Sequence, residues 1–147
     1  MLSAEPMTIE EPATLEDLLR VEGKAELIGG RIVRMMSTGI LPNRAASRIL
    51  VSLLAYTDRT RCGQSFSDNM GFSVRMLKST RQSFSPDVSF YSGPLPENEM
   101  RFVEGPPTFA VEVRSECDYR PGAQVEMASK RADYFEAGTL VVWDVDV

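Results

Sequence analysis

The sequence predicts an α/β fold, in which a mixed β-sheet is flanked by helices, and three observations support this. Residues 109–113 are β-branched and aromatic, as buried strands are. Between residues 46 and 57 apolar side chains recur at helical spacing. The pair Gly29-Gly30 separates two apolar runs, which is typical of a β-hairpin. With 147 residues, 43% of them hydrophobic, the chain is large enough for one core, and we expect a single domain over residues 14–147.

The first half of the chain yields a leader, two helices and the hairpin. Residues 1–13 lack a basic region and a long apolar run, so they predict a mobile leader and neither a signal peptide nor a membrane anchor. Thr14 followed by Asp17 indicates a helix N-terminus with a capping box. The hairpin follows as residues 25–28 and 31–36, then a loop to residue 42 and a long helix from Asn43.

The second half alternates short strands with one helix. Residues 64–76 predict one long strand or two short ones, broken at residues 68–69 or at residue 71. Strands are expected at residues 85–90, 109–113 and 140–145, and a helix at residues 123–137, which Gly138 ends. Residues 92–107 contain four prolines and are interpreted as an irregular loop, a candidate for substrate contact.

Two acids interrupt the apolar segments around residues 87 and 112. Asp87 lies between Pro86 and Val88, and Glu112 lies in the predicted strand at residues 109–113. An ionised carboxylate inside a protein is destabilising by several kcal/mol unless a cation or hydrogen-bond donors compensate it. Two acids on neighbouring strands therefore suggest a divalent metal site. An exposed strand face, or pairing with arginine, would also explain each acid.

Charge is distributed unevenly along the chain. The net charge is −5, yet residues 44–81 hold seven basic and two acidic residues, a local charge of +5. This asymmetry is consistent with a nucleic-acid-binding face, or with a simple solvated face. Arg44 and Arg48, one helical turn apart, are the predicted nucleic-acid contacts. Cys62 and Cys117 lack metal or disulfide spacing, which favours a reducing, cytoplasmic compartment.

Several short motifs together resemble the Uma2 family of endonucleases, a branch of the PD-(D/E)XK restriction-endonuclease-like superfamily. Their order and spacing cover nearly the whole chain. The motifs are residues 26–30, residues 86–90, residues 111–115 with Asp118, Lys130, residues 134–138 and residues 143–146.

The resemblance implies a restriction-endonuclease-like core that hydrolyses DNA phosphodiester bonds. Asp87 and Glu112 would bind Mg²⁺ or Mn²⁺, Glu26 would contribute from the first strand, and a lysine would assist the attacking water. The superfamily usually places this lysine two residues after the glutamate, where this chain has Arg114, which cannot serve as a base. The resemblance therefore assigns the role to Lys130.

Two further departures from the family pattern leave an alternative open. Asn43 stands where relatives usually carry a histidine, and the resemblance leads us to expect more strands after the one containing Trp143. An unpaired strand edge there would be consistent with a homodimer or with a shortened copy. The alternative function is a catalytically inactive nuclease-fold module that binds DNA or a protein partner.

Overall fold

The computed structural model describes residues 11–147, which form three α-helices and nine β-strands. Of the predicted leader, residues 1–10 lie outside the described residues, whereas the backbone N–H of Ala13 donates to the carbonyl of Gly30 at 2.7 Å. The elements are α1 Leu15–Leu19, β1 Ala25–Ile28, β2 Arg31–Arg34, α2 Ile40–Thr60, β3 Gln64–Phe66, β4 Phe72–Ser73, β5 Ser83–Phe84, β6 Val88–Tyr91, β7 Val103–Glu104, β8 Phe109–Val113, α3 Ala123–Ala137 and β9 Val141–Val145.

The strands form a central sheet and two smaller ones, so the predicted mixed α/β fold is confirmed. The central sheet has the order β3-β6-β8-β9; its first three strands are antiparallel and β9 is parallel to β8. Strands β1 and β2 form the predicted hairpin, in which Gly29 and Gly30 have φ values of 58° and 70°. Such positive values are what a tight hairpin turn requires. A third sheet has the order β5-β4-β7.

The central sheet is covered by a different helix on each face, and this arrangement places the site. Side chains alternate along a strand, so neighbouring residues of β8 point to opposite faces. Val111 and Val113 pack against the α2 side chains Ile49 and Leu53. Ala110 instead belongs to the cluster that contains Tyr134 of α3. By the same alternation Glu112 points toward α3, away from α2.

Three local features differ from the sequence-based expectations. Helix α2 begins at Ile40, so Pro42 lies in its first turn, where a missing N–H leaves no intrahelical hydrogen bond unmade. The proline-rich segment 92–107 contains the short strand β7, and its Phe102 packs against the core cluster of α1 and β1. A 3-10 turn, Glu116–Tyr119, interrupts the loop before α3. None of the helices within residues 11–147 combines the length and hydrophobicity needed to cross a bilayer.

Candidate active site

Asp87 and Glu112 line the same pocket, which has a volume of about 710 Å³. Asp87 directly precedes β6, and its backbone N–H donates to the carbonyl of Val111 in β8 at 3.0 Å. The backbone N–H of Val113 in turn donates to Asp87 Oδ2 at 2.6 Å. The Asp87 carboxylate is therefore fixed against the strand that carries Glu112.

Helix α3 brings Lys130 to the Glu112 carboxylate. Lys130 Nζ lies 2.8 Å from Glu112 Oε1 and 3.0 Å from Glu26 Oε1. Burial alone would lower the pKa of Lys130, but the two carboxylates outweigh this effect and raise the pKa above its usual value. Lys130 is therefore an ammonium ion at neutral pH.

The donors of Glu112 do not fully offset the effect of burial on its carboxylate. The Tyr134 hydroxyl donates to Glu112 Oε1 at 2.6 Å, and burial holds the pKa of this tyrosine well above its ordinary value. Burial likewise raises the pKa of Glu112; Lys130 lowers it, while Asp87 and Glu26 raise it further. The ionised form of Glu112 would therefore be stabilised by an additional cation.

Glu26 lies behind Lys130 rather than in the pocket. Its side chain is only 1% exposed and accepts hydrogen bonds from Arg81 Nη1 and from the backbone N–H of Ser85 (2.9 Å), in addition to Lys130. Burial would raise the pKa of Glu26, yet Lys130 and Arg81 outweigh burial and lower it. The contacts make Glu26 an anchor for the Lys130 ammonium.

Lys24 is a site residue that the sequence analysis missed. Its Nζ lies 2.7 Å from Asp87 Oδ1 and 2.6 Å from Asp68 Oδ1. Burial would lower the pKa of Lys24, but Asp87 and Asp68 outweigh this and raise it. The sequence offers no local signal for it, because Lys24 lies in the bend before β1 and its partner Asp87 is 63 positions away in the chain.

The structure does not bring the predicted nucleic-acid contacts to this pocket. Arg44 and Arg48 are exposed on α2, which covers the sheet face opposite to Glu112, and neither lines the pocket. Arg81, counted in the basic segment, is buried and donates from Nε to Asp133 Oδ2 at 3.1 Å. Part of the basic segment 44–81 therefore stabilises the fold, and it is not this segment that supplies the cations of the pocket.

The basic residues that line the pocket come from other parts of the chain. The lining contains as many basic residues as acidic ones. The basic residues are Lys24, Arg34, Arg114, Arg120, Lys130 and Arg131. A smaller pocket, of about 520 Å³, is lined by Leu15, Leu27 and Arg75 among others and contains none of the candidate site residues. The 92–107 loop does not line the larger pocket either.

Within residues 11–147 no group of three or more acidic or cysteine side chains is arranged to hold a metal ion. Asp87 and Glu112, the two acids that the resemblance assigns to a metal, both line the pocket, with Lys24 on the first and Lys130 on the second. A pair of carboxylates, completed by water and phosphate oxygens, is a ligand set that Mg²⁺ commonly accepts.

Comparison with known proteins agrees with this arrangement of elements. A family model described as "Uma2: Putative restriction endonuclease" matches residues 12–147. The chain is also similar to a crystal structure from Anabaena variabilis described as "a putative nuclease belonging to DUF820", with 19% sequence identity and a TM-score of 0.71. The similarity covers 92% of this chain and 74% of that one, and at this identity it shows the fold alone. No curated protein matches the chain.

Proposed function

The chain belongs to the Uma2 family, and from this we propose that it is a metal-dependent endonuclease that hydrolyses DNA phosphodiester bonds. The observation that carries the proposal is the 2.8 Å contact between Lys130 Nζ and Glu112 Oε1, in a pocket that Asp87 also lines. Lys130, which α3 brings to this contact, would supply the cation that the proposed hydrolysis needs, because Arg114 stands two residues after Glu112, where the superfamily usually has its lysine.

Asp87 and Glu112 would hold Mg²⁺ or Mn²⁺. The donor set fits a divalent ion, because both groups are hard oxygen ligands and because burial, which raises the pKa of Glu112, leaves room for a cation to stabilise its ionised form. When bound, the ion lowers the pKa of a water ligand and polarises a phosphate oxygen. Lys24 would move from Asp87 toward Asp68, since both carboxylates already lie within 2.7 Å of its Nζ.

Lys130 acts as a fixed positive charge and not as a base. Its raised pKa keeps it protonated, so it donates hydrogen bonds to a phosphate oxygen as negative charge develops there. Glu26 and Glu112 hold the ammonium from two sides, while Tyr134 fixes the Glu112 carboxylate. These contacts position the cation before substrate arrives, which is the condition for electrostatic stabilisation of a transition state.

The decisive experiment is single-turnover cleavage of duplex DNA with Mn²⁺. Lys130→Met, which keeps the apolar stem, should slow cleavage by about 10²-fold or more, the scale for losing one preorganised electrostatic partner. Arg101→Met is the matched control, because it removes an exposed cation that pairs with Glu16 outside the pocket, and it should cleave as the wild type does. Thermal melts establish that each variant is folded. A Lys130→Met variant with wild-type rate would overturn the assignment.

The alternative is a non-catalytic module that binds DNA or a protein partner. One observation favours it: Asp87 and Glu112 each already have a lysine partner, Lys24 at 2.7 Å and Lys130 at 2.8 Å, so neither acid lacks a cation in the absence of metal. In that case Mn²⁺ should leave the melting temperature unchanged, and the wild type should show no cleavage. A metal-dependent rise in melting temperature that Asp87→Asn removes would exclude this alternative.

Arg44 and Arg48 remain our proposed contacts with the DNA backbone outside the pocket. Each phosphate contact that is lost should reduce the slope of log affinity against log salt by about 0.9. The double variant Arg44→Ala and Arg48→Ala should therefore bind with a flatter salt dependence and an unchanged melt, because both side chains are exposed. An unchanged slope would identify this face as a solvated surface.

A further inference from the structure

Two arginines of the pocket converge on a single carboxylate. Arg114 donates to Asp144 through Nε, at 2.9 Å from Oδ1, and through Nη2, at 3.2 Å from Oδ2. Arg131 Nη1 donates to the same Oδ2 at 2.6 Å. Two positive charges therefore share one negative charge, and the group of three carries a net charge of +1.

The strands and α3 place this group beside the proposed catalytic residues. Arg114 directly follows β8, and its backbone N–H donates to the carbonyl of Val145 in β9 at 2.9 Å. Asp144 is the register partner of Glu112 in the adjacent strand β9. Arg131 follows Lys130 in α3, and both arginines line the pocket with Asp87 and Glu112.

The two guanidinium groups retain most of their hydrogen-bonding capacity. A guanidinium carries five N–H donors in a planar fork that matches the geometry of a phosphate. Arg114 uses two of these donors on Asp144 and Arg131 uses one, and residues 11–147 offer neither guanidinium another hydrogen-bond partner. Their side chains are 16% and 34% exposed, so each can be reached from the pocket.

We propose that Arg114 and Arg131 form a clamp for a backbone phosphate of nucleic acid, next to the phosphate that is cleaved. Which phosphate is cleaved rests on the proposed function, but the clamp itself requires only a phosphodiester backbone. Asp144 is a positioning residue that holds the two planes in place. It also limits the affinity, because its charge competes with the phosphate for the same donors.

The test is binding of a duplex DNA oligonucleotide in EDTA, measured by fluorescence anisotropy over a series of salt concentrations. Arg131→Gln and Arg114→Gln should each weaken binding and reduce the slope of log affinity against log salt by about 0.9. Asp144→Asn should instead tighten binding, because the net charge of the group would rise from +1 to +2 and no carboxylate would compete for its donors. Arg101→Gln, which removes the same charge outside the pocket, should leave the slope unchanged.

The opposite signs separate a clamp from an ion pair that only stabilises the fold. Any one of three results would overturn the clamp. They are equal slopes for Arg131→Gln and wild type, weaker binding by Asp144→Asn, and no binding by the wild type at low salt. Where thermal melts show that Arg114→Gln or Asp144→Asn fails to fold, the more exposed Arg131→Gln decides. Altered slopes without any cleavage by the wild type would support the clamp and overturn the nuclease; cleavage with unaltered slopes would do the reverse.

Discussion

Glu26 and Glu112 share the ammonium of Lys130, but their environments shift their pKa values in opposite directions. Glu26 is almost completely buried and also receives Arg81 and a backbone N–H, so its pKa is lowered despite the burial. Among residues 11–147, Glu112 receives the neutral hydroxyl of Tyr134 and the Lys130 ammonium but no other donor, and its pKa is raised by burial. The difference lies in the donors, because the residue type and the shared lysine are the same.

This difference separates a carboxylate that stabilises the fold from one that is available for chemistry. A buried acid whose donors outweigh its desolvation belongs to the structure, and its removal leaves cations without a partner. A buried acid whose donors fall short is less stable as an anion, and an added cation improves its environment. Substitutions of Glu26, Asp87 and Glu112 test this distinction.

The largest effect is expected at Glu26. Glu26→Gln leaves Arg81 and Lys130 buried beside a neutral group, and breaking a buried pair in this way reduces the free energy of unfolding by about 3–5 kcal/mol. Urea denaturation measures this loss. Glu16→Gln is the control, because it breaks the exposed pair with Arg101, where less than about 1 kcal/mol is at stake. A similar loss in both variants would remove the distinction between the two kinds of acid.

An intermediate effect is expected at Asp87, which is fully paired in the absence of metal. Asp87→Asn presents an amide NH₂ to one of two donors, Lys24 Nζ or the Val113 N–H, so the metal-free protein should lose about 1–3 kcal/mol. If repulsion between Asp87 and Glu112 dominated instead, the variant would be more stable than the wild type in the absence of metal. Thermal melts in EDTA decide between the two, with the exposed Asp58→Asn as the control. A more stable Asp87→Asn protein would mean that Lys24 does not compensate this acid.

The smallest expected effect is the pH dependence of stability that Glu112 causes. Its sign is the most specific of the three predictions. The folded pKa is raised above the usual value of 4.5, so above that value the folded protein keeps a proton that the unfolded chain has lost. Stability therefore falls as the pH rises through this window. Glu112→Gln removes that fall, so the stability of the variant relative to wild type should increase with pH. The increase should be less than ~1 kcal/mol, which is the scale of a partly exposed ion pair.

Melts of Glu112→Gln and wild type, in EDTA and from pH 4 to pH 8, measure this difference. Glu26→Gln, measured in parallel, should show no such gain at higher pH, because the pKa of Glu26 is lowered. A stability of Glu112→Gln relative to wild type that falls as the pH rises would contradict a raised pKa at Glu112.

The elements that sequence predicted well are those with a long periodic pattern or a strong local signal. The amphipathic repeat of α2, the Gly29-Gly30 turn and the capping box of Thr14 with Asp17 all depend on neighbours in the chain, and the structure contains each of them. The two-residue strands β5 and β7 could not be predicted, since two residues carry no periodicity. The start of α2 was missed because Pro42 is a breaker inside a helix but is tolerated in its first turn.

The site was predictable where residue type alone indicates chemistry, and not where the partner is distant in the chain. Asp87 and Glu112 stand out because acids are rare in apolar segments. The pairing of Lys24 with Asp87 joins residues 63 positions apart, so no local pattern in the sequence indicates it. Arg81 was assigned to a basic face for the same reason, because its partners Glu26 and Asp133 come from β1 and α3.

The backbone N–H of Val113 donates to Asp87 Oδ2 at 2.6 Å. It can therefore serve as a spectroscopic probe of this carboxylate, although it takes no part in the proposed reaction. The resonance of this amide proton shifts with the charge and orientation of the carboxylate, so one peak in a ¹⁵N-correlated NMR spectrum follows a titration of Mg²⁺. Val113 is the register partner of Val145 in the β8–β9 pairing, which holds the strand in place, so the signal should reflect the carboxylate and not the strand. Cation binding can thus be observed in wild-type protein, before any variant is made and in the absence of DNA.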